Sequence, residues 1–171
     1  TIDGGPLGEF CYETFNAAEV HVQATGLSVH TGTAKGIMIN AAEALMRFHQ
    51  LLPPQDRPEY TEGYDGFFYL ERMQGDCEYA QADYIIRDHD QKKVEKRKQM
   101  MRDAVSYINY QLDSEVLTIS VKDQYHNLAD VITRPENEHL IENARVAYAA
   151  IGQEMTCIPM RGGTDGSQLS F

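Results

Sequence analysis

The groups best suited to chemistry in this 171-residue chain lie in short glycine-containing stretches. The first is Val29-His30-Thr31-Gly32-Thr33-Ala34-Lys35-Gly36, between a strand-like run and a helical pattern. A helix start carries unpaired N–H groups and partial positive charge, and glycine lets such a loop approach a ligand closely. A histidine projecting there could donate to a carbonyl oxygen or oxyanion. On these residues alone, a turn with a solvated or capping histidine is the favoured reading.

Three further stretches carry similar alternatives. Arg87 stands near a strand end in Ile85-Ile86-Arg87-Asp88. It is either a surface charge paired with Asp88 or Asp90, which the pattern favours, or a carboxylate-binding guanidinium. Asp3 sits in the turn cluster Asp3-Gly4-Gly5-Pro6 and reads first as an ordinary turn aspartate. Arg161-Gly162-Gly163-Thr164-Asp165-Gly166 forms a glycine-rich loop from a strand to a helix start. The cysteines, Cys11, Cys77 and Cys157, form no C-x-x-C pair and read as small core residues of a reduced, cytoplasmic protein.

Elements that position these groups follow from periodicity. Glu19–Ala24 alternates, with Val20, Val22 and Ala24 on one face and His21 and Gln23 toward solvent. From about Ala34 to Leu52 the apolar positions Ile37, Ala41, Leu45, Phe48 and Leu52 mark one helical face, stopped by Pro53-Pro54. Phe67–Met73 and Ala80–Asp88 read as strands joined at Gln74-Gly75-Asp76. Asp90 caps a helix over about Gln91 to Leu112, whose basic run from Lys92 to Lys98 reads as a solvated face. Val116–Lys122 alternates as a fourth strand. The order strand, helix, strand, strand, helix, strand predicts an α+β, ferredoxin-like fold: a four-stranded antiparallel sheet with two helices on one face. Beyond it, Thr133-Arg134-Pro135-Glu136 has the form of a capped helix start, with Leu140, Ala144, Ala147, Tyr148 and Ile151 as its stripe. Met155–Met160 reads as a strand with no partner sheet in the chain.

Charge narrows the function classes. A net charge of -11 argues against nucleic acid and anionic membrane surfaces as partners. No apolar run approaches the roughly 20 residues of a bilayer-spanning helix, and no signal-peptide pattern is present. Thr1-Ile2-Asp3 and Ser167–Phe171 read as cut edges of elements, so the chain is expected to be part of a longer protein.

Ile2-Asp3-Gly4-Gly5, His30–Gly36 and Arg161–Gly166, in that order around a ferredoxin-like unit, resemble the peptidase T family of tripeptide aminopeptidases. That family belongs to the di-zinc metallopeptidase clan, with carboxypeptidase G and the aminoacylases. The resemblance extends over Tyr12–Ala18, Tyr60-Thr61-Glu62-Gly63-Tyr64, Ile85–Asp88 and Lys122-Asp123-Gln124-Tyr125. It implies a lid or dimerisation domain over residues 13–125, inserted into an α/β zinc-peptidase domain to which residues 1–12 and 126–171 belong. It implies Asp3 as a zinc ligand, His30 as the oxyanion donor, and Arg87 as the grip on a substrate carboxylate. Arg161, Gly162, Gly163, Thr164 and Asp165 would line the substrate pocket. The clan's His-x-Asp motif, Glu-Glu pair and last zinc-binding histidine find no match here, and none of His21, His49, His89, His126 or His139 sits in a matching motif. Two zinc ions are thus implied for the longer enzyme, with tripeptides as substrate and a homodimer through the lid, while this chain alone is expected to be inactive and to hold no zinc tightly. A clan amidohydrolase or deacylase, and a non-catalytic lid or dimerisation module, stand as alternatives.

Overall fold

Alternating apolar and polar side chains place one face of every central strand against helices and leave the other open. The computed structural model describes residues 5–170. Its elements in chain order are β1 (Glu9–Phe10), β2 (Asn16–Thr25), α1 (Ala41–Leu51), β3 (Phe67–Gly75), β4 (Tyr79–Asp88), α2 (Gln91–Leu112), β5 (Leu117–Tyr125), α3 (Ala129–Ile132), α4 (Glu138–Ala150), β6 (Thr156–Cys157) and α5 (Asp165–Leu169). The main sheet has the order β3-β4-β2-β5 and is antiparallel throughout, with Val20 opposite Tyr84 and Val121. Ala18, Val20, Val22 and Ala24 of β2 and Ala80, Ala82, Tyr84 and Ile86 of β4 form a buried layer. Ala44, Leu45 and Phe48 of α1 and Val94, Met101, Val105 and Ile108 of α2 close over it. The expected four-stranded α+β fold is therefore what forms, with both helices on one side and Glu19, His21, Asp83 and Arg87 on the other.

Several local expectations are corrected. The first helix begins at Ala41, not near Ala34, and Asn40 caps it by accepting from Glu43 N at 3.2 Å. Upstream, Leu27 and Ile39 pair in an antiparallel bridge, with N–O distances of 2.7 and 3.0 Å. Gly36 takes φ +74°, which stops a helix from running back through the loop. Ile37, assigned to the buried stripe, is 53% exposed. Thr133 ends α3 instead of opening the next helix, and α4 starts at Glu138 with no side-chain cap. Leu140 and Ile151 of its expected stripe are exposed. Cys11 and Cys157 are exposed and Cys77 half-buried, all free, so they are not core residues.

The final section does find a partner. β6 runs parallel to β1. Hydrogen bonds extend this ladder in both directions: Thr156 N to Gly8 O (2.8 Å), Ile158 N to Phe10 O (3.1 Å), Met160 N to Glu13 O (2.9 Å) and Phe15 N to Gly162 O (3.0 Å). Where the two connections to the main sheet pass each other, Asn127 N donates to Asn16 Oδ1 and Thr14 N to Asn127 Oδ1, both at 2.9 Å. Asn16 Nδ2 and Asn127 Nδ2 both donate to His89 O, at 2.9 and 3.1 Å.

The basic run on α2 is not simply solvated. Lys98 is 3% exposed and joins Glu95 (2.6 Å) to Asp123 (2.5 Å). Arg97 Nη1 donates to the buried carboxylate of Asp88, and Nη2 to Gly66 O (3.1 Å) and Asp56 Oδ2 (3.3 Å). Asp88 Oδ1 also accepts from Asp90 N at 2.9 Å. A Cβ on Gly66 would come within 2.1 Å of Asp88 Oδ2. Removing one partner of a buried pair strands the other charge, at a cost of about 3–5 kcal/mol. Asp88→Ala is expected to lower unfolding free energy by that amount in urea titration; a loss under about 1 kcal/mol, the scale of exposed pairs, would show that solvent replaces the carboxylate.

Candidate functional site

β4 delivers Arg87 to the open face because Tyr84 and Ile86, in the alternate register, are claimed by the core. Its guanidinium lies 5.3 Å above the Tyr125 ring. Nη2 donates to Gln124 Oε1 and Nη1 to Ile86 O, both at 3.0 Å. The Gln124 amide in turn donates to the Glu19 carboxylate. Burial lowers the pKa of Arg87, and Tyr125, Glu19 and Glu71 oppose that shift. The alternative pairing with Asp88 or Asp90 is not what forms. Asp88 is held by Arg97, and Asp90 Oδ1 caps α2 by accepting from Lys92 N at 2.8 Å.

Tyr125 links Arg87 to the glycine-rich loop. A Cβ on Gly163 would sit 2.6 Å from Tyr125 Cζ, so only glycine lets the loop lie against the ring. Gly162 is fixed through its carbonyl to Phe15 N. Thr164 caps the short α5, with Oγ1 accepting from Ser167 N at 3.3 Å, and Asp165 opens that helix in an exposed position. Arg161 turns toward the 61–65 connection. It donates to Gly63 O (3.0 Å), Asp65 O (2.7 Å) and Thr61 Oγ1 (2.8 Å), while its guanidinium lies 5.3 Å from the Phe15 ring and 5.6 Å from Phe67. Arg87 and the 161–165 loop thus meet at one end of the sheet. Asp3 lies outside the described residues.

His30 stands apart from this cluster. It caps a 3-10 turn over Thr31–Thr33, and its Nδ1 accepts from Gly32 N at 3.1 Å. A backbone N–H can only donate, so neutral His30 carries its proton on Nε2. That leaves an exposed Nε2–H donor without any contribution from the N-terminus of α1, which starts only at Ala41. Ala17 is the register partner of Arg87, whereas His30 follows the opposite end of β2. The stretch from Ala17 to Thr25 is roughly 26 Å long at ~3.3 Å per residue.

Sequence reasoning assigned no role to a neighbouring group. The His89 ring lies between Phe15 and Tyr64, with centroids at 4.4 and 5.0 Å, and Nε2 bonds Met160 O at 3.2 Å. Burial lowers its pKa. Tyr64 is pushed up to about 12, chiefly by its hydrogen bond to Glu13. Glu13 Oε2 and His89 Nδ1 are buried with no hydrogen-bond partner among the described residues. Neither Glu13 nor His89 carries a motif spacing that would have marked it. The pattern most open to notice was the aromatic Tyr60–Tyr64 stretch.

The described residues contain no group of three or more His, Cys, Asp or Glu side chains able to hold an ion. No described helix is long and apolar enough to cross a membrane.

The Tyr125–Gly163 contact makes a sharp prediction. Gly163→Ala should cost about 1–3 kcal/mol through overpacking, measured by denaturant unfolding. The penalty should shrink in a Tyr125→Ala background, because the clash is with that ring. Equal penalties in both backgrounds would place the cost in the loop backbone instead.

Comparison with known proteins agrees with this architecture. Residues 12–113 match the family model described as the peptidase dimerisation domain. All 171 residues align at 44% identity with Peptidase T of Ligilactobacillus salivarius, and the chain spans 41% of that protein's length. A crystal structure of aminopeptidase PepT from Bacillus cereus superimposes with TM-score 0.78 at 18% identity, covering 96% of this chain and 43% of that one. A tripeptidase from Staphylococcus aureus gives TM-score 0.77 at 15% identity, again over 96% of this chain and 43% of that one. At these identities the structural likeness speaks for the fold.

Proposed function

This chain belongs to the peptidase dimerisation domain family, and from that premise we propose that it forms the lid and an adjoining return segment of a metal-dependent aminopeptidase acting on tripeptides. The reading takes residues 13–125 as the lid, and residues 1–12 and 126–171 as parts of the peptidase domain. It is supported by the identity to Peptidase T over the full chain and by the fold shared with a tripeptidase. The observation that carries it is the meeting of Arg87 with the 161–165 loop through Tyr125. The three free cysteines suit a reducing, cytoplasmic setting.

Arg87 is assigned the C-terminal carboxylate of the substrate. A guanidinium can grip both carboxylate oxygens with parallel hydrogen bonds, and Gln124 Oε1 now accepts where one of them would. His30 is assigned the carbonyl oxygen of the scissile bond, through Nε2–H. An extended tripeptide spans only about 10 Å, less than the length of β2 between the register partner of Arg87 and the segment leading to His30. That separation favours a homodimer in which each copy supplies one of them. The metal, which the family resemblance suggests is a pair of zinc ions, would polarise the substrate carbonyl; the described residues hold no group of three or more possible ligands, and Asp3 is the ligand that the resemblance assigns to this chain. Alone, the chain is proposed to be inactive.

Both assignments are open to test in the full-length enzyme. Arg87→Lys should weaken kcat/KM for free-acid tripeptides about ten- to a hundredfold more than for their C-terminal amides, because charged hydrogen bonds are worth about 1.5–3 kcal/mol. Equal losses on acids and amides would reduce Arg87 to a part of the lid's own packing.

His30→Ala should lower kcat about 100- to 1000-fold and leave metal content unchanged. Loss of metal would make His30 a ligand, and unchanged rates would leave it a turn cap.

A further inference from the structure

A cleft away from these residues opens between the end of α1, the proline-rich 53–60 connection and the β3–β4 pair. Its volume is about 230 Å³. Leu52, Phe68 and Leu70 supply apolar wall, and Arg57 and Glu59 bring one charge of each sign. The hydroxyl-bearing Tyr84 also lines it, although that residue is only 1% exposed.

Hydrogen-bond direction in the cleft is fixed from one end. Arg57 Nη2 lies 3.3 Å from His49 Nε2, and a guanidinium can only donate. Nε2 therefore accepts, and the proton of neutral His49 is on Nδ1. That nitrogen lies 3.2 Å from Tyr84 Oη and donates to it. The tyrosine oxygen is thus used as an acceptor, and its own O–H has no acceptor among the described residues. Burial lowers the pKa of His49 and raises that of Tyr84, so both stay neutral near pH 7 and the direction holds. A buried donor left unmet is costly, and a ligand bearing an acceptor would relieve it.

The walls are held in place before any ligand arrives. Pro54–Asp56 and Pro58–Tyr60 are 3-10 turns, each opened by its proline, and Asp56 is tied to Arg97 at 3.3 Å. Arg57 lies between these turns, and His49 Nε2 takes only one of its donors.

We propose that this cleft binds a small monocarboxylate with a short apolar tail. The carboxylate accepts from the Tyr84 hydroxyl and the remaining N–H groups of Arg57, and the tail lies on Leu52, Phe68 and Leu70. Glu59 disfavours a second negative charge and offers a counter-charge to an ammonium group. Apolar amino acids and branched short-chain acids share the recognised chemistry. The inference does not rest on the peptidase reading, because its test involves no turnover.

The test is an NMR titration of the 171-residue chain with 4-methylpentanoate, with leucine, and with 4-methylpentanamide as control. Saturable shifts of residues 52–59 and 68–70 are expected with at least one carboxylate and not with the amide. Saturation by leucine alone would identify an amino-acid site that uses Glu59, and saturation by both would identify the carboxylate and tail as sufficient. Tyr84→Phe, which keeps the ring, and Arg57→Gln should each raise Kd about tenfold or more. If Tyr84→Phe perturbs folding, the Arg57→Gln result decides. Absence of saturation by either carboxylate, equal binding of the amide, or unchanged affinity in Arg57→Gln would overturn the proposal.

Discussion

The pair Asp88–Arg97 is the constraint on which most of the arrangement depends. It closes the end of β4 onto the first turns of α2, and through Gly66 O and Asp56 it draws in the long connection that follows α1. Apart from His30, the residues assigned to a site cluster around that junction. Arg87 precedes Asp88 on the same strand, and His89 follows it. The 54–66 connection carries both the carbonyls that hold Arg161 and the wall of the Arg57 cleft. A charge pair with little solvent around it depends strongly on geometry, so it favours one arrangement of three segments over near alternatives.

The sheet and its helices were readable because half-buried antiparallel strands write their burial as a two-residue alternation. The same alternation sets Arg87 opposite Tyr84 and Ile86, on the face that the helices leave open. The start of α1 was not readable. Ile37 falls at helical spacing from Ala41 and Leu45, yet the bridge between Leu27 and Ile39 and the positive φ of Gly36 are long-range and backbone effects that apolar spacing does not record. Arg97 and Lys98 were misread for a related reason. A basic run on a helix looks solvated until the partners are known, and Asp56, Gly66 and Asp123 come from other elements.

Within the candidate site, residue types were legible but their company was not. The glycines of the 161–166 loop were visible as a strand-to-helix motif. That Gly163 is needed for an approach to Tyr125, and that Arg161 spends its donors on the 61–65 carbonyls and Thr61, follows only from packing. For His30, the residues alone favoured a capping histidine in a turn, with a donor at a helix start as the alternative, and the capped turn is what forms. The actual source of its polarity is smaller, a single N–H from Gly32 that selects the tautomer.

The two passages between the main sheet and the β1–β6 pair lie side by side, laced by Asn16, Asn127 and the carbonyl of His89. Amide side chains, each with a donor and an acceptor, tie the two passages and the end of β4 at one point. Arg87 lies two residues before that carbonyl, so a shift of either passage is passed to the other and to the strand end that carries Arg87.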